Sequence, residues 1–245
     1  MPAKAQHVHI SVNGTQIPAY LALPDGPGKH PGLLVFEEIF GVNDHIQDVC
    51  RRFAGEGYAA FAVEHFHREK EVMTPYSDIA VGLEKKGRLK DAELAAEMRA
   101  AADYLKGLDG VNENRVGAIG YCMGGRLSYL AAAKLPELAA CVVYYGGGIV
   151  SDDLNENTPV APVSLTKDIP CPVLGHFAEN DHSIPLDHVE RIKKALGDAG
   201  KTHEVFVYEG TVHGFFCDVR DSYHPEAAKV SWGRTLAFLK KNLKG

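Results

Sequence analysis

The hexapeptide Gly120-Tyr121-Cys122-Met123-Gly124-Gly125 limits what this chain can fold into more than any other stretch. The apolar run at residues 115–120 precedes it, and an alanine-rich apolar stretch follows, ending near Lys134 before Pro136. A strand therefore feeds a helix through a turn so sharp that only small residues fit on either side of Cys122. The pattern is G-x-S-x-G with cysteine in the serine position. It places the sulfur at a helix N-terminus, where unpaired backbone N–H groups favour a thiolate. Taken alone, the motif also fits a buried structural cysteine in a glycine-rich turn.

The flanking sequence sets the architecture. Residues 7–23 alternate about Asn13-Gly14, which predicts an antiparallel hairpin. Apolar runs at 33–36, 58–63, 115–120, 140–145, 172–177 and 204–208 then read as buried strands. Helical stretches separate or follow them, over about 44–57, 90–105, 186–199 and 226–243, with one more directly after Cys122. This alternation predicts a single α/β domain over 1–245, built on a mainly parallel twisted sheet with helices on both faces. Residues 149–167, rich in Asn, Asp and Pro, read as a plain connection or as a loop over the site.

A nucleophile needs a base, and the base needs a carboxylate to orient it. In this fold the order along the chain is nucleophile, acid, histidine. Asp181 stands just past the strand that ends at Phe177, and His213 lies on a loop after the last strand, beside Gly214. Both fall at the carboxyl edge of the sheet, where ligands bind in open α/β folds. An oxyanion would require two donors. The backbone N–H of Met123 supplies one, and that of Ile39, in the loop after the first parallel strand, is the candidate for the second. Phe215, Phe216 and Tyr145 offer either apolar substrate walls or core.

With a formal net charge of −6 and scattered Lys and Arg, a general affinity for nucleic acid or anionic membrane is not expected. No apolar run approaches the length that spans a bilayer, and the N-terminus lacks a secretory pattern. The five cysteines are odd in number and have no C-x-x-C spacing, so no disulfide framework or zinc site is expected, and a reducing cytoplasmic setting fits. The histidines of Glu64-His65-Phe66-His67 would share a strand face and so raise the question of a metal, but no third ligand is marked. The expectation is a monomer needing neither cofactor nor metal.

Together, Glu38-Ile39-Phe40-Gly41-Val42-Asn43, Gly55-Glu56-Gly57-Tyr58-Ala59-Ala60, the Cys122 hexapeptide, Asp181-His182 with Pro185, and His213-Gly214-Phe215 resemble the dienelactone hydrolase family of α/β hydrolases. The resemblance implies an α/β-hydrolase fold and hydrolysis of an enol lactone. It also implies that Glu38, rather than Glu37, helps convert the cysteine thiol to thiolate. The sequence departs from the family at two arginines that hold a substrate carboxylate. Cys217 stands four residues after His213, residues 77–80 occupy the other region, and neither Arg68 nor Arg88 is in register. This favours a neutral lactone or activated ester over dienelactone itself. Thiolate is also a good leaving group, so the chemistry suits enol lactones, aryl esters and thioesters better than amides. Two other readings remain at this stage: a catalytically weak binding protein on the same fold, and a redox-sensing thiol.

Overall fold

The computed structural model describes residues 4–244. Its centre is an eight-stranded sheet in the order β1-β2-β4-β3-β5-β6-β7-β8. β1 (Lys4–Val12) and β2 (Thr15–Leu23) form the expected hairpin, turning through Asn13 at φ 49° and Gly14 at φ 84°. Left-handed backbone at both positions is what a two-residue primed turn requires. β2 pairs antiparallel with β4 (Ala59–Val63). From β4 onward every pairing is parallel, through β3 (His30–Phe36), β5 (Val111–Tyr121), β6 (Ala140–Tyr144), β7 (Val173–Ala178) and β8 (His203–Tyr208). β4, β6 and β7 are buried along their whole length, as strands covered on both faces must be.

The helices are α1 (Asp44–Gly55), α2 (Ile79–Arg88), α3 (Asp91–Lys106), α4 (Met123–Lys134), α5 (Leu186–Asp198) and α6 (Pro225–Leu239). Asn43 starts α1 by accepting a hydrogen bond from the Ile46 N–H, 3.2 Å. α1 meets α6 where Phe53 packs on Trp232, ring centres 4.6 Å apart. α3 meets α4 through a bidentate Arg126–Asp91 pair at 2.7 and 2.8 Å. α4 is buried on nearly all sides, consistent with its alanine-rich sequence. Among the described residues, no helix is long and apolar enough to cross a membrane.

One element departs from the sequence expectations. α2 is a helix where none was predicted, because its apolar residues do not form a core-facing stripe. Ile79, Val81 and Leu83 are exposed, while Gly82 and Lys85 are its buried positions. Residues 149–167 form a connection that ends in a short 3₁₀ helix beginning at Pro162.

Candidate active site

The turn after β5 has the geometry the motif demands. Cys122 sits at φ 56°, ψ −118°, an uncommon conformation for a residue with a side chain. Its N–H donates to the Tyr144 carbonyl at 3.1 Å, which ties the bend to β6. The glycines are there because neighbouring backbone leaves no room. A Cβ at Gly120 would overlap the Gly124 carbonyl, and one at Gly124 would overlap the carbonyls of Phe36 and Glu37. At Gly125 it would lie 2.5 Å from the Tyr144 oxygen. The turn is thus pressed into β3 and β6 and leaves the Cys122 side chain partly exposed at the strand ends.

Two further loops converge there. Asp181 follows β7 by three residues and is buried. Its Oδ1 accepts from the N–H groups of Ser183 (2.8 Å) and Ile184 (3.1 Å), which fixes the carboxylate. Its Oδ2 lies 2.7 Å from His213 Nδ1. The loops are joined by Asn180 N–H donating to the Thr211 carbonyl, 2.9 Å. Burial would lower the His213 pKa, but interaction with the Cys122 sulfur and the bond to Asp181 outweigh it and raise the value to about 10. The imidazole is therefore held protonated through neutral pH. The stability this confers is complete below about pH 6.5, the unfolded value, and is lost as pH rises through about 10. Urea unfolding should show wild type losing more stability than His213→Gln between pH 7 and pH 10.5; equal losses would contradict this.

Cys122, His213, Ile39 and Met123 all line one pocket of about 330 Å³. Among the described residues, neither the Ile39 nor the Met123 N–H has a hydrogen-bond partner. Glu38 lies behind Ile39, fully buried, with Oε1 3.6 Å from Arg220 Nη1. Tyr145, Phe215 and Phe216, named as possible substrate walls, do not line this pocket. They are core: Tyr145 packs on Phe215 at 5.3 Å, and Phe216 stacks on Tyr121 at 5.3 Å. Tyr145 does support the site from behind, edge-on to His213 at 5.1 Å.

The walls that sequence reasoning missed are Phe40, Ile79, Leu83 and Val212, with Lys86, His182 and Arg220 as polar groups. Arg220 is a cation in the pocket although it is not four residues from His213. Successive turns, Cys217 N–H to Gly214 carbonyl and Arg220 N–H to Cys217 carbonyl, fold the chain back and return it to the cavity. Residues 151–161 do not cover this pocket; they wall a neighbouring cleft that shares Leu83 and Lys86.

The adjacent acids that follow β3 face different surroundings. Glu37 accepts from the His65 N–H at 2.9 Å and is held well above the usual carboxylate pKa by burial and by Glu64. His65 and His67, weighed as metal ligands, both bind the Glu97 carboxylate, at 2.7 and 3.0 Å. Burial would raise Glu97, but these bonds and that from Arg68 hold it at about 2. The group is a hydrogen-bond network that ties the loop after β4 to α3.

The cysteines differ sharply in accessibility. Cys50, Cys141, Cys171 and Cys217 are buried, and burial raises all four thiols, Cys171 to about 12 and Cys217 to about 11. Brief iodoacetamide treatment at pH 7.5 should therefore give one adduct per chain, at Cys122, by peptide mass spectrometry. A first adduct at any other cysteine would contradict this assignment.

Comparison with known proteins identifies the family. Residues 17–243 match the Dienelactone hydrolase family. A Synechocystis sp. protein named "Putative carboxymethylenebutenolidase" is 37% identical over 245 residues, covering 98% of each chain. A Bradyrhizobium sp. protein named "Probable 2-oxo-3-(5-oxofuran-2-ylidene)propanoate lactonase" is 30% identical over 239 residues, covering 97% of this chain and 94% of its own. A crystal structure from Klebsiella pneumoniae subsp. pneumoniae MGH 78578, described as a "Putative Dienelactone Hydrolase", superposes with a TM-score of 0.90 at 36% identity. It covers 98% of this chain and 99% of its own. With a family match over nearly its whole length and relatives above 30% identity, this chain is a lactone and ester hydrolase belonging to the dienelactone hydrolase family.

Proposed function

We propose that the chain hydrolyses enol lactones and activated carboxylic esters through a thioester on Cys122, with His213 as acid and base and Asp181 as its orienting group. The observation that carries this reading is the 2.7 Å Asp181–His213 bond at the edge of a pocket that Cys122, on its strained strand-to-helix turn, lines together with His213. The thiolate attacks the acyl carbon, and the carbonyl electron pair moves to oxygen. That oxyanion accepts from the free N–H groups of Ile39 and Met123. As the intermediate collapses, the departing enolate or alkoxide takes the proton of His213. Water then loses a proton to His213 as it attacks the thioester, and the second collapse expels thiolate and releases the acid. Glu38, as the resemblance implies, accepts the thiol proton when the thiolate first forms.

Rapid acid quench after mixing with a nitrophenyl ester should trap an acyl group on the Cys122 peptide. Turnover without any such adduct, or an adduct on another residue, would overturn the thioester pathway.

The pocket cations bear on substrate charge. Arg220 and Lys86 face the same cavity as Cys122, and Lys86 has no ion-pair partner among the described residues. We infer that an anionic lactone is accepted, in place of the neutral preference expected from the missing register arginines. The 2-oxo-propanoate lactone named for the Bradyrhizobium relative carries such a charge. Arg220→Gln should lower kcat/KM at least about 10-fold for a carboxylate-bearing enol lactone and less than about threefold for phenyl acetate. Equal losses on the two would return the neutral reading.

A further inference from the structure

Behind the pocket lies a cluster that the proposed cycle uses only in part. One ligand atom each from Glu38, His45 and Cys217 falls within 4.8 Å of the others, and all three residues are buried. Among the described residues, neither oxygen of Glu38 and neither nitrogen of His45 has a hydrogen-bond partner. His45 Nδ1 stands 3.4 Å from Asp218 without hydrogen-bond geometry, and Glu38 has only the 3.6 Å approach of Arg220. A fully buried carboxylate with no hydrogen bond is costly, and so is a buried imidazole with none. Together they are aimed at a shared space that also holds a thiol.

We propose that Glu38, His45 and Cys217 form a binding site for a zinc-like divalent cation, and that its occupation switches off the hydrolase. Thiolate, imidazole and carboxylate are the donors of three-ligand zinc sites, whereas magnesium and calcium prefer all-oxygen sets. In a tetrahedral zinc centre the donors sit about 3.3–3.8 Å apart, so the cluster must contract by about 1 Å. Binding forms the metal–sulfur bond as the Cys217 proton passes to solvent. The two anionic donors then balance the dication, and Glu38 gives up its approach to Arg220. Asp218 supplies the carboxylate neighbour that metal-binding histidines usually have. A groove lined by Asp44, His45, Glu71, Thr74 and Tyr76 leads to the cluster from outside, and its two acids favour cation approach. This route lies apart from the pocket lined by Cys122 and His213.

The inhibitory consequence rests on the proposed function, because the metal would capture the carboxylate assigned to take the Cys122 proton. Binding itself does not depend on that reading. The protein should be titrated with cobalt(II), followed by its thiolate-to-cobalt charge-transfer absorption, and assayed on a nitrophenyl ester with and without zinc. The expected result is one cobalt per chain, with the band absent in Cys217→Ser and retained in Cys122→Ala. His45→Gln, which keeps the thiol, should bind at least about 10-fold more weakly. Saturating zinc should lower wild-type kcat at least about 10-fold with little change in KM, while Cys217→Ser gives the same rate with and without it. No band in wild type overturns the site, as does a band that survives Cys217→Ser and vanishes in Cys122→Ala. Unchanged affinity in His45→Gln also overturns it. A band without zinc inhibition retains the site but removes the switch. If no variant or condition shows hydrolysis, the proposed function fails while the absorption still decides the site.

Discussion

Cys122→Ala is expected to lower kcat on a nitrophenyl ester by about 10⁴-fold, leaving only what the oxyanion donors and binding supply. The Cys122 side chain is partly exposed and packs little of the core, so the variant should fold, with its melting temperature close to wild type. His213→Ala should cost a comparable factor. The double variant should be no slower than the worse single one, because a base without its nucleophile has nothing to activate. Additive losses, or a fall of less than tenfold in Cys122→Ala, would move catalysis elsewhere in the molecule.

Gly124→Ala should be among the most damaging single methyl additions in the chain. Its Cβ would overlap the carbonyls of Phe36 and Glu37, and β3 cannot retreat, because it is paired on one side with β4 and on the other with β5. Overpacking against fixed backbone should cost about 3 kcal/mol or more. For a chain of this size that lowers the melting temperature by roughly 6–12 °C. Gly55→Ala in α1 is the control: among the described residues no atom beyond its own helix turn and chain neighbours lies within 4 Å of its Cβ, and a change of less than about 1 kcal/mol is expected. Similar melting shifts in the two variants would show that the turn tolerates a side chain and is not held as described.

The succession of strands along the chain and the positions of Cys122, Asp181 and His213 after strand ends were legible because each follows a recognisable apolar run in the sequence. A residue placed just past a strand end in a parallel sheet has only one edge to occupy. The pocket walls were less legible for a physical reason. Arg220 reaches the cavity through tight turns after Gly214, so linear spacing from His213 could not locate it. α2 was invisible because its apolar residues face outward, and helical periodicity is read from the side that faces the core. Phe215 and Phe216 show the converse. Their position beside His213 suggested contact with substrate, but Tyr121, Tyr144 and Trp232 already surround them.

α2 carries one more implication. Gly82 lies so close to Ile39 that a methyl there would sit 2.9 Å from the Ile39 oxygen, and Lys85 ties the helix to the loop at Glu71–Thr74. The same helix offers Ile79 and Leu83 to the cavity. A bulky alcohol portion pressing on those two residues therefore pushes on the peptide unit that follows the Ile39 N–H. If Ile39 serves as proposed, leaving-group size and oxyanion alignment are mechanically coupled, and chain length in the alcohol would register in turnover rate as well as in affinity.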